Sequence, residues 1–344
     1  MKGKAWLTMK VIIPMAGLGK RMRPQTWSKP KPLLNVAGKP ILGHVLDKFK
    51  PLDVEEVIFV VGWLRDQVEE YVRSSYSFAA RYVIQEELKG QAHAVHLARE
   101  YLSGPCIIVF VDTLFEADLT TLSTCAADGV AYVQEVEDPR RFGVVVEQEG
   151  RIVRLIEKPD SFEHRKAVIG LYYVRDAAAL LDAIEYLLAH NMQTKGEFYL
   201  ADAFQVMINR GARFVSAPVS VWEDCGEPKT LLHTNRYLLE HGHSQEVAVE
   251  NGVLIPPVYV ARSARIENAV IGPYVTVGDN VSITGSIIRD TIIEAGSIIE
   301  NVALEHSLIG RNTTIKGAFQ RFNVGDDDLI DLTGENSRPK EAGG

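Results

Sequence analysis

The sequence is poor in cysteine: only Cys106, Cys125 and Cys225 occur among its 344 residues, and they lie far apart. An odd number of widely spaced thiols indicates neither a disulfide framework nor a zinc site. Positive charge is also scarce, because the formal net charge is −8. This balance is unlike that of a general nucleic-acid-binding protein, so we expect no nucleic-acid partner.

Long apolar runs are absent as well. A membrane-spanning helix needs about 20 consecutive apolar residues, whereas the first apolar segment, residues 11–15, is short and is broken by Pro14. Neither a signal peptide nor a membrane span is indicated, and we expect a cytoplasmic protein that does not bind membranes.

Residues 9–136 alternate between short apolar runs and segments with helical spacing. The runs at residues 11–13, 57–61, 82–84 and 107–111 are typical of strands that are buried on both faces of a parallel sheet. The alternation predicts an α/β fold with a Rossmann-like, mostly parallel sheet and helices on both faces. Further along, a hairpin is predicted over residues 143–156, helices over 177–188 and 196–208, and extended chain over 214–222.

After residue 250 an aliphatic residue recurs six positions after another. We align "AVIGPYVTV" (269–277), "TIIEAGSII" (291–299) and "SLIGRNTTI" (307–315) as equivalent coils. A six-residue aliphatic period is the mark of a parallel β-helix, and a short left-handed one is predicted here. An antiparallel β-sandwich with coincidental spacing is the alternative.

These patterns divide the chain into four parts: an N-terminal tail (1–8), an α/β domain (9–245), a hexapeptide-repeat β-helix domain (250–317) and a C-terminal tail (318–344). Stacked coils present flat faces for self-association, so we expect a homo-oligomer.

The first acidic residue is Asp47, and a cluster of cations precedes it. The cluster consists of Lys20, Arg21, Arg23, Lys29, Lys31 and Lys39. It follows the end of the first predicted strand, where open α/β sheets bind ligands. Gly17 and Gly19 let backbone amides approach a bound group. A polyphosphate cradle is therefore predicted, with a solvated basic loop as the alternative.

Two common phosphate-binding motifs do not fit this turn. The dinucleotide fingerprint needs a third glycine where Met22 stands, and the Walker A motif needs Ser or Thr where Arg21 follows Lys20.

The segment "AGLGKRMRP…SKPKPLL" (residues 16–34) instead resembles the signature of the sugar-1-phosphate nucleotidyltransferases. Further matching segments follow in the order typical of that family: "VIQEELKGQAHAV", "VFVDTLF", "IEKPD", "GLYYV", "KGEFYLADAF" and "WEDCGEP". The resemblance covers almost the whole chain and implies that residues 9–245 form the catalytic domain. Long-form glucose-1-phosphate thymidylyltransferases are the members that this sequence resembles most.

The resemblance implies catalytic roles for three cations. Arg21 would bind the triphosphate and the leaving pyrophosphate, Lys31 would reach the α-phosphate, and Lys158 would hold the sugar phosphate. We expect Lys20 and Lys29 to be solvated.

The same resemblance makes Asp112 and Asp224 the ligands of Mg²⁺, the expected cofactor, which usually takes one or two carboxylates. Val111 departs from the family pattern, which usually has Gly before the first of these Asp residues.

Nucleotide binding is implied for the turn and for one glutamine. The backbone at Ala16, Gly17 and Gly19 would approach the nucleotide, and Gln85 with Gly90 would recognise a uracil or thymine base. A glutamine amide can rotate, so these residues alone do not exclude cytosine.

Sugar-phosphate binding is implied for residues later in the domain, namely Gly143, Glu157, Lys158, Gly170 and Glu197. An alternative for Glu197 is a helix N-terminal glutamate that interacts with the helix dipole. Ile169 favours glucose, because members that use N-acetylglucosamine typically carry Asn at that position.

The expected partners are thus a pyrimidine nucleoside triphosphate, with dTTP and UTP both open, and a sugar 1-phosphate, with glucose 1-phosphate favoured. Three alternatives stay open: an N-acetylhexosamine-1-phosphate uridylyltransferase, a non-catalytic subunit that senses nucleotide sugars, and a hexapeptide-type acyltransferase. His93 and His96 are expected to have packing or surface roles, and His306 a structural role.

Overall fold

The structure is a computed structural model that describes residues 8–325 together with Asp327 and Ile330. Most of both predicted tails, residues 1–7 and most of 326–344, therefore lies outside the described residues. The strands before residue 245 are β1 (Met9–Pro14), β2 (Asn35–Val36), β3 (Lys39–Pro40), β4 (Val54–Val61), β5 (Ala79–Ile84), β6 (Cys106–Val109), β7 (Thr113–Glu116), β8 (Gly129–Glu135), β9 (Gly143–Gln148), β10 (Arg151–Glu157), β11 (Lys166–Val174), β12 (Phe214–Pro218) and β13 (Val221–Asp224).

The α-helices differ somewhat from the sequence prediction. They are α1 (Ile41–Asp47), α2 (Arg65–Ser75), α3 (Gln91–Leu97), α4 (Ala177–Ala189), α5 (Leu200–Asn209) and α6 (Pro228–Leu238). The helix predicted from residue 196 begins only at Leu200, because residues 194–197 form a tight turn in which Thr194 and Glu197 exchange backbone hydrogen bonds. No helix in the described part of the chain is both long and apolar enough to cross a membrane.

The main sheet is mixed, with a parallel half that positions the site. Strands β6, β1, β4 and β5 are neighbours and run parallel, as the alternating pattern predicted. Beyond β6 the sheet continues through β11, which is antiparallel to β6, β8 and β9, and the predicted β9–β10 hairpin forms at its edge. Away from this sheet, β7 and β13 pair as a separate antiparallel ribbon.

The parallel strands are apolar at successive positions because both of their faces are covered. In β1, Val11 and Ile13 point into one core, which is shared with α1, α2 and α6. Ile12 points into the other core, which is shared with α3, α4 and α5, and the predicted buried thiol of Cys106 lies there too. Side chains alternate between the faces of a strand, so a strand buried on both sides reads as a continuous apolar run.

The second part of the chain is a left-handed parallel β-helix. Its strands are β14 (Val253–Leu254), β15 (Val258–Val260), β16 (Arg265–Glu267), β17 (Val270–Ile271), β18 (Val275–Val277), β19 (Ser282–Thr284), β20 (Ile287–Ile288), β21 (Thr291–Ile293), β22 (Ile298–Glu300), β23 (Ala303–Leu304), β24 (Ser307–Ile309) and β25 (Thr314–Lys316).

These short strands form three parallel sheets of four strands each. Ile266 pairs with Ile283, Ile283 with Ile299 and Ile299 with Ile315, so successive coils take 17, 16 and 16 residues. The stacked aliphatic side chains fill the interior of the coils.

The six-residue step is correct, but the alignment of the three segments as equivalent coils is wrong. Ile293 and Ile309 lie in one sheet with β18, whereas Ile271 lies in a different sheet, with β14, β20 and β23. The true equivalent of the two later segments is residues 275–283. Each corner of a three-sided coil repeats the same step between inward-facing aliphatic residues, so the period alone does not identify the corner.

The β-helix packs against the basic loop. Lys29 Nζ lies 2.6 Å from Glu294 Oε2, and the backbone N–H of Asn35 donates to Glu294 Oε1 at 3.0 Å. The side chains of Lys29 and Glu294 are only 14% and 10% exposed. The expectation that Lys29 is solvated is therefore wrong, because its partner lies 265 residues away in sequence, whereas Lys20 is exposed as predicted.

A second ion pair joins α6 to the β-helix. The guanidinium of Arg236 donates two hydrogen bonds to the carboxylate of Asp290, which also contacts His306. These contacts give His306 a structural partner at the junction.

We predict that Glu294→Ala lowers the free energy of unfolding by about 3 kcal/mol, because it leaves a buried lysine charge and a backbone N–H without a partner. Urea unfolding of the whole chain, followed by tryptophan fluorescence, measures this change.

Glu300→Ala is the matched control. Glu300 lies in the neighbouring strand β22 and pairs with Lys316, whose side chain is 60% exposed. The loss of an exposed pair should cost less than about 1 kcal/mol. Equal effects of the two substitutions would contradict the assignment of Glu294 as a buried anchor.

Candidate active site

A cleft lies at the carboxyl ends of the parallel strands, with a volume of about 510 Å³, and adjoins a second cavity of about 300 Å³. The larger volume suits a small-molecule site. The two cavities are lined by all of the site residues predicted from the sequence, namely Ala16, Gly17, Gly19, Arg21, Lys31, Gln85, Gly90, Asp112, Gly143, Glu157, Lys158, Gly170, Glu197 and Asp224.

The glycine turn leads directly from β1 into the site. Gly19 adopts the left-handed conformation, with φ of 60°, and a Cβ there would lie 3.0 Å from Thr26 Cγ2 and 3.2 Å from Lys31 Cβ. The hydroxyl of Thr26 donates to the Gly19 carbonyl at 2.8 Å. Glycine therefore allows the turn to close tightly over the following loop and to bring the backbone near a bound group.

Arg21 lies at the mouth of the cleft and is not alone there. Its Nη1 is 3.2 Å from Glu227 Oε1, and Nη2 of Arg141 is 2.8 Å from the same oxygen. The side chain of Arg21 is 61% exposed, so it is free to move toward an incoming anion. Sequence reasoning missed Arg141 and Glu227, although Glu227 lies within the quoted "WEDCGEP" segment.

The antiparallel β7–β13 ribbon brings Asp112 and Asp224 together. In its register Asp224 lies opposite Thr113, and the N–H of Cys225 donates to the Asp112 carbonyl at 3.0 Å. Two carboxylates that are 112 residues apart in sequence thereby meet at one side of the cleft. The Val111 departure does not prevent this arrangement.

The two carboxylates have opposite pKa shifts. Burial acts to raise the pKa of Asp112, but the Lys31 ammonium, which lies 2.7 Å from Asp112 Oδ2, more than offsets it and holds the pKa below its usual range. The pKa of Asp224 is raised, first by burial and then by the charge of Asp112. Asp224 accepts one hydrogen bond, from the N–H of Gly226 at 2.7 Å, and has no ion pair within the described residues.

This donor set fits a divalent cation. A carboxylate pair with only one ammonium beside it carries uncompensated negative charge, which a hard cation neutralises. Within residues 8–325 no cluster of three or more His, Cys, Asp or Glu side chains is placed to hold a metal. The remaining ligands would therefore come from the substrate and water, as is usual for Mg²⁺.

Lys158 lies at the far side of the cleft, on left-handed backbone with φ of 46°. Its Nζ lies 3.0 Å from the Tyr199 hydroxyl, which raises the lysine pKa, and lies over the Tyr199 ring. Tyr199 was not predicted, although the "KGEFYLADAF" segment contains it. The contact holds the ammonium in a fixed place in the cleft.

Two glycines leave room beside Lys158. A Cβ on Gly143 would lie 2.9 Å from Glu157 Oε2, and one on Gly170, whose φ is 83°, would lie 2.7 Å from Phe110 Cδ2. Glu197 is exposed and precedes the first residue of α5 by three positions, in the tight turn. Its carboxylate is therefore not part of the helix.

Gln85 and Gly90 form the opposite wall. Gln85 follows β5 directly and is buried, with its N–H bonded to the Val61 carbonyl at 2.8 Å. Gly90 has φ of 113°, and a Cβ there would lie 2.5 Å from the Phe198 carbonyl oxygen. Contrary to the expectation of a packing or surface role alone, His93 contacts the Gln85 amide, with Nδ1 3.2 Å from Nε2.

The nucleotidyl transferase family matches residues 10–241 of the chain. A glucose-1-phosphate thymidylyltransferase of Streptomyces antibioticus is 30% identical, and the alignment covers 94% of this chain and 99% of that protein. A low-salt glycan biosynthesis nucleotidyltransferase of Haloferax volcanii is 28% identical, with 96% and 100% covered. The solved structure of a UDP-glucose pyrophosphorylase complexed with UDP-glucose has a similar fold, with a TM-score of 0.60 at 20% identity over 68% of this chain and all of its own.

The pKa of Glu157 is raised to about 6, first by burial and then by the carboxylates of Asp202 and Glu197, against the opposing effect of Lys158. Between its ordinary value of 4.5 and this value, the folded protein holds a proton that the unfolded chain releases. Stability conferred through this group should therefore fall by about 2 kcal/mol as the pH rises through that window.

We predict that Glu157→Gln becomes more stable relative to the parent protein as the pH rises from 4.5 to 6.5, as measured by urea unfolding at each pH. Glu163→Gln, at a carboxylate that is 76% exposed, is the control and should follow the parent at every pH. A Glu157→Gln profile that runs parallel to the parent profile would refute the raised pKa.

Proposed function

This chain belongs to the nucleotidyl transferase family, and from that premise we propose that it transfers a nucleotidyl group from dTTP or UTP to glucose 1-phosphate, with Mg²⁺ as cofactor. An oxygen of the sugar phosphate forms a bond to the α-phosphorus of the triphosphate. The bond from that phosphorus to the bridging oxygen breaks, and pyrophosphate leaves with the electron pair. The other product is a nucleotide sugar.

The observation that carries this proposal is the adjacency of Asp112 and Asp224 in a cleft that also holds Arg21, Lys31 and Lys158. Both substrates are polyanions, and their mutual repulsion at contact distance in a partly dry site amounts to several kcal/mol. A site for joining them must neutralise and position phosphates on two sides. This distribution of charge does so.

The basic loop would hold the triphosphate. Arg21 would leave Glu227 and bind the β- and γ-phosphates, which become the leaving pyrophosphate. Backbone amides of the glycine turn would share the charge. Lys31 is already fixed beside Asp112, and from that place it would reach the α-phosphate.

Asp112 and Asp224 would hold the Mg²⁺. When bound, the ion supplies charge neutralisation on the phosphate oxygens. With a cation beside Asp112, the Lys31 ammonium is no longer needed as its partner and is free to bind phosphate. No general base is required, because the attacking phosphate oxygen is already an anion.

Lys158 would hold the sugar phosphate for attack from the opposite side of the α-phosphorus. The Tyr199 contact keeps its ammonium in one place, so little side-chain freedom is lost on binding. Glu197 would accept hydrogen bonds from sugar hydroxyls, and Gly143 and Gly170 would leave space for the ring.

The choice of substrates rests on two further observations. The Streptomyces antibioticus relative, which is similar over nearly the whole chain, is a glucose-1-phosphate thymidylyltransferase. Ile169 is buried where an amide would be expected for an N-acetylated sugar. Pyrophosphate release from five nucleoside triphosphates, each paired with several sugar 1-phosphates, tests the choice directly, with dTTP or UTP and glucose 1-phosphate expected to be fastest.

We predict that Asp112→Asn lowers turnover by about 100-fold or more, because one of two metal ligands loses its charge. The rate of pyrophosphate release at saturating Mg²⁺ measures this effect. Asp66→Asn, at a carboxylate on α2 that is 92% exposed, should leave the rate unchanged. A near-normal rate in Asp112→Asn, with the fold intact by urea unfolding, would refute the metal assignment.

We also predict a homo-oligomer. Apolar side chains point outward from the β-helix, among them Val253 and Ile287, which are 54% and 58% exposed. Flat parallel coils with such faces suit self-association. Light scattering should give a mass that is a multiple of the 38.2 kDa chain, and a strict monomer at micromolar concentration would contradict this prediction.

A further inference from the structure

The amide of Gln85 is held through only one of its two ends. Its Nε2 lies 3.4 Å from the Gly90 carbonyl oxygen and 3.2 Å from His93 Nδ1. Its Oε1 has no hydrogen-bond partner among the described residues, and the side chain lines the cleft. The two amide hydrogens are thus directed to the protein, and the carbonyl oxygen is left for a ligand.

The Gly90 carbonyl determines which end of the amide faces it. A carbonyl can only accept, so the NH₂ group and not Oε1 must lie beside it. The same NH₂ group then faces His93 Nδ1, which must accept its second hydrogen. This requires a neutral ring that carries its proton on Nε2.

The surroundings of His93 favour the neutral ring. Its pKa is lowered, first by burial and then by the nearby charges of Lys89 and His96, while Glu87 acts in the opposite direction. The helix that carries His93 is also fixed in place. The N–H of Ala92 donates to the Phe198 carbonyl at 2.9 Å, so α3 and the glycine before it move as one unit with the cleft wall.

We propose that His93 is a positioning residue that keeps the Gln85 carbonyl oxygen turned toward the cleft, so that the site selects a base with an N3–H, uracil or thymine, over cytosine. This inference rests on the proposed function, in which Gln85 faces the base. Uracil and thymine donate from N3, whereas N3 of cytosine is an acceptor. An acceptor facing an acceptor leaves both unpaired, which is the stronger form of discrimination.

Binding of UTP and CTP by calorimetry, with Mg²⁺ and without sugar phosphate, tests the proposal. The two nucleotides share the ribose and the triphosphate, so their ratio of dissociation constants reports on the base alone. We expect the parent protein to prefer UTP. His93→Leu, which removes the acceptor and frees the amide to rotate, should reduce the preference roughly five- to tenfold.

Two further variants separate positioning from structural support. His93→Asn can place Oδ1 where Nδ1 stands and should keep the preference within about twofold of the parent protein. His96→Leu changes the same residue type on the same helix, at a side chain that is 20% exposed and contacts Glu185 instead of Gln85. It should leave the ratio unchanged.

The inference is overturned if His93→Leu keeps the parent ratio, if it weakens both nucleotides equally, or if the parent protein has no preference. Failure of the proposed function looks different, because the parent protein would then release no pyrophosphate from either dTTP or UTP with any sugar 1-phosphate. Binding of neither nucleotide would overturn both.

Discussion

Repulsion between negative charges is the constraint on which the rest of the site depends. Asp112 and Asp224 are forced together by the pairing of β7 with β13, and this adjacency raises the pKa of Asp224. Lys31 neutralises only one of them. The folded protein therefore contains a negative site that attracts a divalent cation, within a larger field of cations that attracts phosphates. Both parts are needed because the two substrates repel each other as strongly as the carboxylates do.

The β-helix contributes to this arrangement from behind. Glu294 binds both Lys29 and the N–H of Asn35, on either side of Lys31 in sequence. The side chain of Gln25 donates to the Leu308 carbonyl at 3.2 Å, so the loop is fixed at a further point. A loop that carries several cations would otherwise spread apart. Anchoring it to a rigid stack of coils keeps the phosphate-binding groups in place before substrate arrives, which lowers the entropic cost of binding.

Local signals predicted most of the fold and gathered the predicted site residues into one cleft, since a buried strand, a glycine turn and a six-residue step are each encoded by neighbouring residues. Long-range pairings were not readable. The partner of Lys29 is far away in sequence, and the corner of the coil to which Ile271 belongs depends on the stacking of other coils. The contact between His93 and Gln85 depends on how a helix returns to a strand end, which no local pattern encodes. Sequence reasoning thus supplied the chemistry of single side chains more readily than their partners.

The most direct test of this account is a crystal structure with a non-hydrolysable dTTP or UTP analogue and Mn²⁺ in place of Mg²⁺, because manganese is located by its anomalous scattering. The account predicts one anomalous peak within about 2.5 Å of carboxylate oxygens of both Asp112 and Asp224. It also predicts the triphosphate in contact with Arg21 and with the amides of the glycine turn. A peak bound by neither carboxylate, or a triphosphate seated away from that turn, would contradict it.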